Sequence, residues 1–369
     1  MAKIGYRVYY FKNRNSDQQS KSGRQREVKE LFSKRVKEPD TILLFFENHD
    51  ENDELIPGDR YLRRLRDLIH NVRKHKQQVT GFERWFHLLV QALKSNGYKV
   101  LINDYRTARK DPTYPIGLIG YPRILGQYKQ KQLSNPVVLG PALFDHPAQF
   151  ESYKDMFRKY LYLVTSEWMQ TLFKGYLQER CRLWHAGIDI QRWPDVSLEQ
   201  KKYDFLIYDK IRWEREVYEP RLLSPILELL RKNGSSYTML RYRYHDHQLF
   251  RKSLKQSRSM LFLCEHETQG LAYQEALASN VPILAWDNGY WLDPQRLQYT
   301  GEKIPASAVP YFSELCGEKF RDIEEFPDKL AIFLKRLPGY RPREYVQKEF
   351  DLIASGRKYA EYYFSLLRT

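Results

Sequence analysis

Short apolar runs suited to parallel strands alternate with amphipathic helical stretches through most of the chain. No other feature narrows the fold as much. The runs are TILLFFE (41–47), YKVLIND (98–104), IGLIGY (116–121), NPVVLG (135–140) and LYLVTS (161–166), then YDFLIYD (203–209), SSYTMLRY (235–242), SMLFLCE (259–265) and VPILAWD (281–287). Between them, FERWFHLLVQALKSNG spaces Trp85, Leu88, Leu89 and Ala92 along one helical face and stops at Gly97. Near-continuous apolar strands followed by helices predict an α/β protein whose parallel sheets are covered on both faces. A polar stretch, QRWPDVSLEQKK (191–202), interrupts the alternation before a fresh strand. It predicts two α/β halves of similar build, 1–193 and 194–343, with a C-terminal helix at 344–369 too short to be a domain. That helix carries an aromatic face (Tyr345, Phe350, Tyr359, Tyr362, Tyr363, Phe364) and is expected to pack on something already built.

The 369 residues favour two domains over one, and 42% hydrophobic content excludes wholesale disorder. Three cysteines cannot form a disulfide framework, so a reducing, cytoplasmic compartment is expected. The polar, Tyr-rich first residues do not read as a signal peptide. No uncharged run reaches the roughly 18–20 residues that span a bilayer. Lys and Arg number 61 against 46 Asp and Glu, leaving 61 − 46 = +15. A surplus of that size attracts polyanions: nucleic acid, anionic lipid or phosphorylated small molecules. Part of it lies in DRYLRRLRDLIHNVRKHKQQ (59–78), where Leu62, Leu65, Ile69 and Val72 form an apolar stripe among Arg60, Arg63, Arg64, Arg66, Arg73 and Lys74. Two readings stand there, a solvated helix packed on its own domain and a surface that meets a membrane or another polyanion.

The stretch richest in chemistry is SMLFLCEHETQGLAYQEALASNVPILAWDNG (259–289). A strand ending near Cys264, a turn through Gly270 and a helix from Leu271 would aim free backbone N–H groups and a positive helix end at one point. That arrangement suits phosphate. Two acids flank it, Glu267 before the glycine and Glu275 on the helix. Five residues of helix from Gly270 to Glu275 rise about 7.5 Å. The two carboxylates could therefore serve hydroxyls on opposite sides of a diphosphate, the layout of a nucleotide-sugar. Cys264-Glu265-His266-Glu267 is not read as a metal cluster, because alternation along the strand end separates its members. His245-Asp246-His247 reads as a loop whose Asp246 N-caps a helix. Neither a P-loop nor a Gly-x-Ser-x-Gly elbow is present.

Glu267 and Glu275, separated by seven residues, resemble the E-x7-E signature of family 4 retaining glycosyltransferases. Further elements are similar in the same order: Thr80-Gly81-Phe82-Glu83-Arg84 before a helix, LYLVTSEWMQTLF (161–173), Leu183-Trp184-His185-Ala186-Gly187-Ile188-Asp189, FLIYDKIRWER (205–215) and YHDHQLFRKSLKQSRSMLFL (244–263). The resemblance implies a GT-B fold, two Rossmann-like domains facing a cleft with the C-terminal helix crossing back. It implies that Glu267 contacts the donor sugar, that the amides of Gly270 and Leu271 hold phosphate, and that Glu275 binds ribose. It also implies that Gly81 lets its loop approach the donor, and that Lys210 with Arg215 neutralises the leaving diphosphate. Arg212 competes with Arg215 for the second role. His146, after NPVVLGPALF, is the candidate histidine near the sugar, with an ordinary loop histidine as the other reading.

Neither metal nor cofactor is expected. The partners implied are a nucleotide-sugar donor and a glycan or lipid-linked glycan acceptor, as in cell-envelope polysaccharide synthesis, with contact to the inner face of an anionic membrane. Two alternatives remain, a glycosyltransferase acting on nucleic acid and a non-catalytic basic nucleic-acid-binding protein. The +15 charge and Arg interleaved with Tyr in RYRYHDH (241–247) favour the latter. Carboxylates beside an anion site disfavour it.

Overall fold

Strands β1 (Thr41–Phe46), β2 (Lys99–Ile102), β3 (Ile116–Ile119), β4 (Val137–Leu139), β5 (Tyr160–Val164) and β6 (Cys181–Leu183) pair in parallel in the order β2-β1-β3-β4-β5-β6. The computed structural model describes residues 40–46, 61, 62, 65, 81–141 and 143–367. The expectations attached to residues 1–39, to Thr80 and to Arg60, Arg63, Arg64, Arg66, Arg73 and Lys74 lie outside them. Period-2 alternation explains the burial of β1 on both faces. Ile42, Leu44 and Phe46 enter one core cluster, with Trp85 and Leu89 of α1 (Gly81–Ser95), while Leu43 and Phe45 enter another. That second face is covered by α2 (Tyr105–Lys110), α3 (Arg123–Gln130) and α4 (Glu167–Leu177).

The second sheet comprises β7 (Tyr203–Lys210), β8 (Tyr237–Arg241), β9 (Ser257–Cys264), β10 (Ile283–Trp286) and β11 (Gly317–Phe320). It too is wholly parallel, in the order β8-β7-β9-β10-β11. Its faces are covered by α5 (Arg215–Tyr218), α6 (Ser224–Lys232), α7 (His247–Gln256), α8 (Leu271–Ala278) and α9 (Phe326–Arg336). Asp246 N-caps α7 through a 2.7 Å bond from the Leu249 amide, as expected. The chain runs outward in both directions from the β7–β9 pair. This is the switch point of a doubly wound sheet, where ligands bind beyond the strands' C-terminal ends.

The C-terminal segment is two helices rather than one. α10 (Pro342–Glu349) lies against the second sheet's layer, Val346 sharing a core with Ala276 and Phe262. α11 (Leu352–Ser365) returns to the first sheet, where Tyr359, Ala360 and Tyr363 join the cluster of Leu44 and Trp85. The crossing is sharp because Asp351 starts α11 as its N-cap, accepting from Ala354 N at 2.6 Å. Ile188 N donates to Phe350 O at 2.9 Å at the same place. Gly187 lets the strands cross: a Cβ there would stand 2.6 Å from Leu352 Cα and 2.9 Å from Asp351 O.

Candidate active site

Lys210 ends β7, and Glu265-His266-Glu267 leaves the neighbouring β9, whose Cys264 is in register with Lys210. The Lys210 ammonium and Glu267 carboxylate form an ion pair, both side chains nearly buried. Burial alone would favour the neutral amine, but the Glu267 charge more than offsets it and holds the Lys210 pKa above its ordinary value. Tyr242 supports the ammonium from its ring face at 4.6 Å.

Glu265 organises the segment after β7, a role sequence reasoning missed. Its fully buried carboxylate accepts from the amides of Arg212 (2.6 Å) and Trp213 (2.9 Å) and lies 3.5 Å from Arg212 Nε. Burial pushes this carboxyl up, against the pull of those amides and of the guanidinium. Arg212 also donates to His266 O at 2.8 Å, which sets its guanidinium beside Glu267's loop. Arg215 is elsewhere. It forks onto buried Asp209 at 3.0 and 2.7 Å and reaches Glu219 at 3.0 Å. The spacing of Lys210 and Arg215 does not bring them together, because Asp209 takes the Arg215 guanidinium; Arg212 is the second cation beside Lys210.

Gly270 opens α8 with φ +86°, a left-handed conformation that favours glycine. A Cβ there would meet the Tyr273 ring at 2.2 Å and Glu267 Cγ at 3.2 Å. The close approach therefore involves this chain's own ring as well as any ligand. The N–H groups of α8's first turn, Leu271 included, have no partner within the helix and present its positive end. Gln269, just before, ties the two halves together: its Oε1 accepts from Trp85 Nε1 and from Ala186 N, each at 3.0 Å. Trp168 Nε1 adds a 2.9 Å bond to Glu267 O.

Glu275 is buried on α8 and forms an ion pair with Arg84 of α1. Arg84 belongs to the glycine-loop element, but its partner was not readable from local pattern. Among the described residues the other oxygen, Oε2, has no hydrogen-bond partner. Neither does His247 Nε2, 3.8 Å away. Burial holds His247 to a pKa of about 4, so the imidazole is neutral. Gly81 begins α1 with open space where a Cβ would stand.

His146 is buried and N-caps a 3-10 turn, its Nδ1 accepting from Ala148 N at 3.1 Å. Its ring stacks on Tyr299 at 4.5 Å, and burial lowers its pKa. A cavity of 170 Å³ opens in front of Glu267, bounded by Asp145, Trp168, Arg212, His266 and Trp291. Asp145 borders it; His146 serves the turn behind.

No family model matches the chain, and no curated protein matches it. Among solved structures, sucrose-phosphate synthase from Thermosynechococcus elongatus superposes with a TM-score of 0.51 at 12% identity, over 89% of this chain and 99% of that one. The chain has the GT-B fold. Its two parallel sheets are the Rossmann-like halves of that fold, and α11 is the helix that crosses back. Other GT-B structures match less closely. A lipopolysaccharide outer core galactosyltransferase, WaaB, gives a TM-score of 0.49 at 10% identity over 88% of this chain and 99% of that one. TarM from S. aureus gives 0.44 at 11% identity over 68% of this chain, which spans 55% of the TarM chain. Among the described residues, no helix is long and apolar enough to cross a membrane.

Proposed function

We propose that this GT-B protein is a retaining, metal-independent glycosyltransferase of the family 4 type, moving a sugar from a nucleotide-sugar to a hydroxyl acceptor. The observation that carries the reading is the convergence at the β7–β9 switch point of the Lys210–Glu267 pair, Arg212 and the N-terminus of α8. Lys210 and Arg212 would take the charge developing on the departing diphosphate, where positive groups fixed in a closed cleft lower the barrier. The amides of Gly270 and Leu271 would hold its oxygens, and Glu267 would accept from sugar hydroxyls. In front-face attack the acceptor oxygen bonds to the anomeric carbon as the bond to phosphate breaks, and the acceptor's proton passes to the leaving phosphate oxygen.

The partnerless Glu275 Oε2 and His247 Nε2 fit a ribose hydroxyl placed between them. A melting-temperature screen with UDP, ADP, GDP and dTDP tests this reading. At least one is expected to raise the wild-type value by several degrees, and Glu275→Ala is expected to remove most of that rise. No rise with any of the four contradicts it.

The proposed acceptor is a glycan or lipid-linked glycan at an anionic membrane surface, as in envelope polysaccharide synthesis. Its support is the +15 charge and the outward exposure of Leu62 (64%) and Leu65 (57%). Replacing four of Arg60, Arg63, Arg64, Arg66, Arg73 and Lys74 by Gln is expected to abolish flotation with anionic liposomes while nucleotide binding persists. Flotation that persists favours nucleic acid as the acceptor.

A further inference from the structure

Every charge at the 170 Å³ cavity has a partner except on one side. Glu267 is paired with Lys210, and Arg212 with Glu265 and His266 O. Asp145, from the turn after β4, and Asp293, from the segment after β10, both line the cavity, and among the described residues no cation lies within ion-pair distance of either. Asp293 caps the turn at 294–298, accepting from Gln295 N at 2.8 Å, which leaves its other oxygen for the cavity. Asp145 is exposed to the cleft. The enclosing walls and the nearby Asp293 charge raise its carboxyl above the ordinary range, against the pull of the Arg212 guanidinium.

Two further observations point to a ligand. His266 is 6% exposed, lines the cavity, and its Nδ1 has no hydrogen-bond partner among the described residues. Its imidazole is kept neutral by burial and by the neighbouring Arg212 and Lys210 charges. The cavity's apolar walls are aromatic: Trp213 stacks on His266 at 5.1 Å, and Trp168 and Trp291 flank the same ring at 5.9 and 6.2 Å. Flat aromatic walls with a few hydrogen-bonding groups fit the C–H face and hydroxyl edge of a pyranose ring. At 170 Å³ the cavity is below the roughly 300–1,000 Å³ of sites for drug-sized ligands, room for one ring rather than a chain.

We infer that Asp145 and Asp293 make this cavity selective for an uncharged, hydroxylated hexosyl unit and reject sugars bearing a carboxylate or phosphate. The inference rests on the donor-site reading of the same cleft and adds the class of sugar carried. Each aspartate accepts hydroxyl hydrogen bonds that a neutral hexose supplies. An anionic sugar would set a third negative charge beside two that form no ion pair among the described residues, Arg212 acting on Asp145 only from farther off. Because Asp145 faces the cleft, solvent screens part of that repulsion, so discrimination of about tenfold is expected rather than several hundredfold.

The test begins with whichever of UDP, ADP, GDP and dTDP raises the melting temperature most. The affinities of its glucose and glucuronic acid conjugates are then measured by calorimetry, on wild type and on Asp145→Asn/Asp293→Asn. Asparagine keeps the N-cap at 293, and Asp145→Asn alone serves if the double variant does not fold. The expected result is glucose favoured at least about tenfold by wild type, the ratio falling severalfold in the variant. Equal affinities in wild type, or a ratio the variant leaves unchanged, overturn the inference while leaving the nucleotide-sugar reading intact. Failure of all four nucleotides and of their glucose conjugates to bind overturns both.

Discussion

Lys210→Ala is expected to lower nucleotide-sugar turnover about 10²–10³-fold, the loss seen when one preorganised electrostatic group is removed from a transition state. Stability should fall as well. The substitution leaves the nearly buried Glu267 charge without its counter-ion, which costs about 3–5 kcal/mol for a buried pair. These two losses have separate signatures. In Lys210→Met/Glu267→Leu no unpaired charge remains, so denaturant unfolding should show most of the stability regained. Turnover should stay at the level of the single variant or below it. A double variant that regains activity along with stability would mean that the pair only holds the fold. A single variant with wild-type turnover would remove Lys210 from the chemistry.

Gly270→Ala is the second large effect, expected to destabilise the protein by about 2–5 kcal/mol. A left-handed conformation costs a non-glycine residue about 1–2 kcal/mol, and a Cβ 2.2 Å from the Tyr273 ring adds an overpacking cost of about 1–3 kcal/mol. Tyr273 has little room to yield. It is fully buried, and its hydroxyl donates to Tyr311 O at 3.2 Å and accepts from Tyr311 N at 3.1 Å. Gly81→Ala is the contrast, because open space surrounds that position. It should leave urea stability within about 0.5 kcal/mol of wild type. Nucleotide affinity should fall only if the Gly81 loop closes on the ligand. Equal stability of the two alanine variants would contradict this account of Gly270.

The fold was legible because nine strands announce themselves as apolar runs, from TILLFFE to VPILAWD. Two of the four edge strands were not. β6, Cys-Arg-Leu, and β11, Gly-Glu-Lys-Phe, are short and partly polar, as edge strands are. The break between α10 and α11 was hidden as well. Asp351 is an N-cap inside what reads as one helical stretch, and only the backbone passing at Gly187 explains it.

At the site, the acids Glu267 and Glu275 and the turn glycine were readable, because their chemistry is local. Partner choice was not. Spacing paired Lys210 with Arg215, yet Asp209 takes Arg215, while Glu265 draws the Arg212 segment toward Glu267's loop. Likewise Arg84 and His247 reach Glu275 only because two separate helices converge on α8. Contacts of that kind, 191 and 28 residues apart by subtraction of the residue numbers (275 − 84 and 275 − 247), leave no periodic trace in the sequence.

In the proposed function the β7–β9 switch point breaks a nucleotide–sugar bond. Its most direct test is proton NMR of the purified protein with UDP-, ADP-, GDP- and dTDP-linked glucose, following nucleoside diphosphate release and the anomer first formed. The account predicts release from at least one donor with the donor's own anomeric configuration in the first product. It also predicts release at least about 100-fold slower in folded Glu267→Gln. No release from any donor by folded protein, or equal release by Glu267→Gln, would contradict it.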